Sequence, residues 1–320
     1  EQLKKTVDGF RDVSSKDFRE TAELARQDQI DIAVDLTGYT KNCRSEIFAC
    51  RAAPVQINFL GYPGTMGADF IDYIIADQTV IPDHYRQYYS EKVIRMPDTY
   101  MPTDNTREIA SRNITRSEMG LPENSFVFCG FNNSYKISPK EFNIWMRLLH
   151  KIPDSVLWLR HSNEWADDNL RKEAQKRHIE PSRLIFAERI QMNEHLARHT
   201  LADLFLDTFT FNAHSTAVDA LWGGLPIITK PGQGFAARVA SSLLNAIDLS
   251  ELITNSEDAY EALALELATH PTKLDTIKKK LQSNRLTTPL FNTETYTQYL
   301  EIGYQQAYDC FFDNRKKHDI

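Results

Sequence analysis

Two clusters in the second half of the chain carry residue types suited to holding an anionic leaving group. The first is the run Asp207-Thr-Phe-Thr-Phe-Asn-Ala-His-Ser-Thr-Ala-Val-Asp219, followed by Gly223 and Gly224. It reads as a strand end, a polar turn and a helix closed by two glycines. A helix beginning near Ser215 presents unpaired amide N–H groups and the positive end of its dipole, so a phosphate seated there is stabilised without further help. His214 can add a donor to that phosphate, and Asp219, one turn in, can accept from ribose hydroxyls. Thr216-Ala-Val-Asp219 also has the form of a capping box, which needs no ligand; the residues alone leave both readings open.

The second cluster is Cys129-Gly-Phe-Asn-Asn-Ser-Tyr-Lys-Ile137. It follows a strand and leads into a helix, which puts Asn132, Asn133 and Lys136 at a strand's carboxyl end, where α/β sheets bind ligands. An ammonium group there can neutralise charge building on a departing diphosphate. A solvated loop lysine would have the same sequence. A third segment, Asn58-Phe-Leu-Gly-Tyr-Pro-Gly-Thr-Met-Gly67, has glycines that allow a close backbone approach to a ligand, though an ordinary tight turn would also use them. Pro231-Gly-Gln-Gly-Phe-Ala-Ala237 imitates a dinucleotide fingerprint, but it follows the fifth strand of its lobe, the wrong context for that role. His195 and Arg198 lie one helical turn apart and face the same way, so they could touch a base or ribose; surface helix residues would look the same, and His199 reads as one. No H-E-x-x-H, Walker lysine loop, G-x-S-x-G elbow or Asp-x-Asp pair is present, so the charge on a leaving group is expected to be met by protein groups, with no metal and no other cofactor.

These residues need strands and crossover helices to bring them together. Apolar runs bounded by turn residues predict strands at 31–36, 55–60, 73–76 and 92–96. After a polar, proline-containing stretch at 98–122, taken as a connection between lobes, the alternation resumes with strands at 125–131, 156–160, 184–186, 204–206 and 226–229. Alternating strand and helix signals predict an α/β fold of two Rossmann-like, doubly wound lobes facing a cleft. The boundaries read as 1–118 for an N-terminal lobe, 119–292 for a C-terminal nucleotide-binding lobe and 293–320 for a final amphipathic helix. With only four evident strands, the first lobe reads as incomplete.

The composition is that of a soluble globular protein. The chain has 320 residues, 42% of them hydrophobic, and a net charge of −7, which disfavours nonspecific nucleic-acid binding. Four cysteines without a C-x-x-C pair suggest a reducing compartment, and neither a membrane span nor a signal peptide is evident. A cytoplasmic location with no membrane partner is the expectation.

Gly38-Tyr-Thr, Phe59-Leu-Gly-Tyr-Pro-Gly-Thr, Asp72-Tyr-Ile-Ile-Ala-Asp77, Phe131-Asn-Asn-Ser-Tyr-Lys-Ile137, Ser155-Val-Leu-Trp-Leu159, His214-Ser-Thr-Ala-Val-Asp219 and Pro289-Leu-Phe-Asn-Thr293 occur in this order along nearly the whole chain. Together they resemble the catalytic region of the O-linked N-acetylglucosamine transferases, glycosyltransferase family 41. The resemblance implies a GT-B fold, an inverting, metal-independent mechanism, UDP-GlcNAc as donor and Ser or Thr hydroxyls of proteins as acceptors. By that likeness Lys136 is the lysine on the diphosphate, and Asn133 stands where many members have glutamine. His214, Ser215 and Thr216 match the phosphate loop, Asp219 the ribose-binding aspartate, and His195 and Arg198 positions beside the uridine. Leu60, Gly61 and Pro63 match the loop beside the sugar.

Two positions depart from the pattern. Asp31 lies where animal enzymes carry an active-site histidine, which makes it a candidate for acceptor activation, although a structural role at a strand start suits it as well. Met192 replaces a lysine at the uridine end. The family's N-terminal helical repeats and the first strand of its first lobe have no counterpart in these residues, so a bacterial or truncated member is expected. A relative using UDP-glucose or GDP-fucose, or a UDP-binding scaffold with little turnover, are the competing readings.

Overall fold

A computed structural model describes residues 3–320. Local chemistry starts its helices. Asp17 accepts from the amide of Glu20 while the Glu20 carboxylate accepts from the Asp17 amide, a reciprocal cap that opens α1 (Phe18–Gln27). Then come β1 (Ile32–Asp35), the short helix α2 (Glu46–Ala49), β2 (Val55–Asn58), β3 (Tyr73–Asp77) and β4 (Lys92–Met96), forming a sheet in the order β1-β2-β3-β4. β1 runs parallel to β2 and β2 to β3. Every residue of β2 and β3 is buried; β3 reads as a mainly apolar run, while β2 buries Gln56 and Asn58 through hydrogen bonds to backbone groups.

The second sheet opens with β5 (Phe126–Gly130). Ser138, Pro139 and Glu141 then build a second capping box at the start of α3 (Pro139–Lys151). The chain continues through β6 (Ser155–Arg160), α4 (Glu164–Lys176), β7 (Leu184–Ala187), α5 (Met192–Ala197), β8 (Leu204–Leu206), α6 (Ser215–Trp222) and β9 (Ile227–Ile228). Four helices complete it: α7 (Val239–Ala246), α8 (Glu257–Thr269), α9 (Pro271–Asn284) and α10 (Thr293–Phe312). The sheet order is β7-β6-β5-β8-β9, all parallel. The chain starts mid-sheet, winds outward to β7, and returns to lay β8 against the other side of β5. At that reversal the loops leaving β5 and β8 diverge, and a crevice opens at the strands' carboxyl ends. Trp158 of β6 and Trp145 of α3 are wholly buried in this lobe's core.

The chain divides into two units, Glu1–Ala76 with Asp83–Met96 and Gln298–Ile320, and Asp77–Pro82 with Pro97–Thr297. The stretch 98–122, read from the sequence as a connection between lobes, groups with one of the two units. This is the second unit, and Thr99 and Tyr100 are buried there, with the Thr99 hydroxyl 2.7 Å from that of Ser242. The final helix spans the expected residues, but most of it groups with the first unit; Gly303 sits against Ile94 so closely that an added Cβ would lie 2.4 Å from its Cγ2. Among the described residues no helix is long and apolar enough to cross a membrane. All four cysteines are free thiols, Cys129 and Cys310 buried.

Candidate functional site

The loop after β8 is shaped around one buried carboxylate. Asp207, with no exposed surface, accepts through Oδ1 from the amides of Thr208 (2.8 Å) and Ala213 (2.6 Å), and through Oδ2 from the Thr229 hydroxyl (2.6 Å). These bonds close residues 207–213 into a fixed turn and deliver the chain into α6. Burial pushes the Asp207 carboxyl up to about 7, against the pull of those donors and of Lys136. His214 precedes the helix with φ −106° and ψ −97°, and no side chain caps the first turn. The capping box that Thr216 and Asp219 could have formed is therefore not made. The Thr216 hydroxyl donates instead to Oδ1 of Asn132 (2.8 Å), tying the helix start to the loop after β5, and Asp219 pairs with Arg107. The helix ends at Gly223, where a Cβ would lie 2.7 Å from the Leu196 carbonyl, and at Gly224, whose φ of +83° suits glycine.

Lys136 is half-buried on the loop after β5 and reaches the same turn. Its Nζ donates to the Asn212 carbonyl (3.0 Å) and lies 4.0 Å from the centroid of the Phe211 ring. Burial lowers its pKa to about 8, partly offset by Asp207. The Phe211 ring stacks on His214, with centroids 4.6 Å apart, so Lys136, Phe211 and His214 form one layer over the helix start. His214 Nε2 faces the Ala236 carbonyl at 3.0 Å. A carbonyl only accepts, so Nε2 carries the proton, and burial keeps the ring neutral by lowering its pKa to about 4. As a neutral ring His214 has only an acceptor left at Nδ1; it donates to a phosphate there if the anion draws in a second proton.

Beside this layer lies a cavity of about 340 Å³ lined by Phe131, Arg160, Met192, His195, Thr216 and Asp219 among others. The Arg198 guanidinium donates to His195 Nδ1 (2.7 Å) and to the Glu188 carbonyl (2.7 Å), and lies 4.8 Å from the Phe131 ring centroid. That bond places the His195 proton on Nε2, 3.8 Å from Asp219 Oδ2. Burial first, then neighbouring arginines, hold His195 neutral with a pKa near 4, and burial lowers Arg198 to about 10. Asn133 accepts from Arg160 at the rim. Ser215 is exposed at the helix start. A larger hollow of about 730 Å³ beside β7 is bordered by Glu164, Asp167, Asp168 and Glu188 against Arg171 and His161, an acidic balance that disfavours a diphosphate.

Expected residues Lys136, His214, Ser215, Thr216, Asp219, His195, Arg198 and Asn133 thus gather on the loops and helix starts around one sheet reversal. His199 departs from expectation. It is wholly buried, its Nδ1 donating to the His195 carbonyl (2.7 Å), because the 3-10 turn after α5, Arg198–Leu201, packs its ring against Phe131. The sequence reading gave no role to three supports: Asp207, Arg107 and the Ala236 carbonyl. The last belongs to the glycine-rich run set aside as a false dinucleotide motif. Asp207, a carboxylate set between a buried strand and a polar turn, was the legible signal among them.

In the first unit, Leu60, Gly61 and Pro63 follow β2. Leu60 is held at φ +70°, and Gly61 passes so near Leu36 that a Cβ would lie 2.1 Å from its carbonyl oxygen. Beneath them, wholly buried Asn58 donates to the Gly64 carbonyl (3.0 Å), while Asp35 accepts from the amides of Thr37 and Gly38 (2.9 Å each). Strain of this kind in a bulky residue is typical of functional loops. Asp31 stands elsewhere: it is exposed at the amino end of β1, next to an apolar hollow with Ile30, Pro54 and Phe311, a strand length from the carboxyl-end loops.

The family model described as glycosyl transferase family 41 matches residues 1–112 and 106–300. A curated Arabidopsis thaliana protein named "Probable UDP-N-acetylglucosamine--peptide N-acetylglucosaminyltransferase SEC" is 38% identical over 310 residues, 95% of this chain and 32% of that protein. A Caenorhabditis elegans UDP-N-acetylglucosamine--peptide N-acetylglucosaminyltransferase is 28% identical over 391 residues, 88% of this chain and 34% of its own length. The chain spans about a third of the length of these curated relatives. Among solved structures, a K341M mutant of the Thermobaculum terrenum O-GlcNAc transferase superimposes with TM-score 0.88 and 27% identity, covering 98% of this chain and 59% of that one. Anabaena HepE, solved with UDP and glucose, shares the fold at TM-score 0.62 and 15% identity, covering 89% of this chain and 81% of that one. Both of the parallel-sheet lobes are of GT-B type, and with the family model matching across both of them, the chain belongs to glycosyl transferase family 41.

Proposed function

We propose that this chain is the catalytic region of an enzyme that transfers N-acetylglucosamine from UDP-GlcNAc to Ser or Thr hydroxyls of proteins, with inversion at the anomeric carbon and without a metal. The observation that carries the reading is the uncapped start of α6, with the Lys136 ammonium held over the same turn. Diphosphate oxygens fit there against free amides and a cation. As the acceptor oxygen bonds to the anomeric carbon and the bond to UDP breaks, the charge growing on the diphosphate is met by Lys136 and the helix dipole. The names of the relatives support the donor sugar and the peptide acceptor. In this reading His195, Arg198 and Asp219 face the nucleoside, Ser215, Thr216 and His214 the phosphates, and Leu60, Gly61 and Pro63 the sugar.

Parallel transfer assays with UDP-GlcNAc, UDP-glucose and GDP-fucose on a protein acceptor test the donor. Modification from UDP-GlcNAc alone is expected; transfer from either other donor at equal or higher rate overturns the assignment. Calorimetric titration with UDP then tests the site, because Lys136→Ala and His214→Ala must each weaken binding or turnover.

A further inference from the structure

Arg107 is bound to α6 at two points. Its Nη1 donates to Oδ1 of Asp219 at 2.5 Å, and its own carbonyl accepts from the indole Nε1 of Trp222, three residues further along the same helix, at 3.1 Å. Asp219 is 8% exposed, and the Arg107 side chain is mostly buried. The clamp engages only one carboxylate oxygen. Asp219 lines the cavity, and Oδ2 accepts no hydrogen bond from the described residues there; the neutral His195 ring presents its Nε2 3.8 Å away, beyond hydrogen-bond reach. Arg107 keeps two buried donors, Nε and Nη2, without partners among the described residues. Such donors are costly to bury.

We propose that Arg107 is a positioning residue for nucleoside recognition: by holding Oδ1 of Asp219 it leaves Oδ2 aimed into the cavity, to accept from a ribose hydroxyl of the bound nucleotide. This rests on the reading of the cavity as the nucleoside site. Burial alone drives the Asp219 carboxyl toward its protonated form, and Arg107 opposes that drive. An ionised oxygen accepts from a hydroxyl without competition, whereas a protonated one would add a donor of its own. Arg107 therefore governs both the direction and the charge of the acceptor while leaving the ligand to Asp219.

The test compares affinities for UDP, 2′-deoxy-UDP and 3′-deoxy-UDP by calorimetry in the whole chain and its Arg107→Ala, Arg107→Lys and Trp222→Phe variants. The unaltered protein is expected to bind at least one deoxy ligand about tenfold more weakly than UDP, as for loss of a hydrogen bond to a charged acceptor. Arg107→Ala should weaken UDP by about that factor and bind UDP and the deoxy ligand almost equally, with Arg107→Lys recovering part of the discrimination. Trp222→Phe, which loosens the carbonyl tether but keeps the guanidinium, should show a smaller loss of the same kind. A structural role alone would lower affinity for all three ligands in parallel, so an unchanged ratio in Arg107→Ala overturns the proposal. If the unaltered protein itself fails to discriminate while binding UDP, the nucleoside reading of the cavity falls, and the proposal falls with it.

Discussion

At Lys136, burial and ligand charge pull in opposite directions. Burial lowers the ammonium to about 8, and a diphosphate beside it favours the charged form again. UDP binding near pH 8 is therefore expected to take up a fraction of a proton, which titrations in two buffers of different ionisation enthalpy measure directly. The group is charged below its pKa and neutral above it, so UDP affinity should fall as pH rises from 8 to 9 and stay flat there in Lys136→Ala. The same substitution should lower kcat by roughly 10² to 10³, the size of effect seen when one preorganised charge-stabilising donor is removed, with secondary structure by circular dichroism unchanged. A kcat within threefold of the unaltered protein would remove Lys136 from the chemistry.

At the scale of single elements, the turn after β8 and the close of α6 are where substitution should tell. Asp207 has a folded pKa of about 7, above the roughly 3.9 of an unfolded aspartate. Its contribution to stability is therefore fully present below about pH 4 and is lost as pH rises through about 7. Thermal melts should show the midpoint falling between pH 5 and 8, and Asp207→Asn should flatten that slope. At Gly223 a methyl group would meet the Leu196 carbonyl at 2.7 Å and His199 Cβ at 2.8 Å. Gly223→Ala is expected to cost about 1–3 kcal/mol through overpacking where α6 meets α5, seen as a lower urea midpoint with an unchanged slope. Gly224→Ala meets no neighbour within 4 Å but keeps a φ of +83°, so its cost is backbone strain of about 1 kcal/mol.

For the whole molecule, ligand contacts are expected to concentrate in the larger unit. Hydrogen exchange with and without UDP should show protection at residues 131–137, 187–198 and 207–219, the segments that carry Lys136, His195 and the start of α6. Protection centred on residues 164–171 and 182–188, around the acidic hollow beside β7, would instead place the nucleotide elsewhere.

The strands were legible because most of their residues are buried, as in β3, β6 and β8, and burial leaves short, mainly apolar runs whatever the tertiary arrangement. All nine expected strands form, with ends shifted by a residue or two. Glycines 223 and 224 marked the end of α6, and the Lys136 and His214 segments stood out because polar residues at strand ends have no packing reason to be there. Other features depended on pairs far apart in sequence. Thr216 bonds to Asn132 across 84 positions and Asp219 to Arg107 across 112, and no local pattern encodes such pairings. That is why the capping box within Thr216–Asp219, plausible from spacing, yields to long-range partners, and why His199 is buried despite a surface-like sequence. Composition and local chemistry determined which segments become strands and where helices start; only the packing of the β5 and β8 loops against one another decided which side chains face the cavity, because orientation within a crevice is fixed by contacts between distant residues.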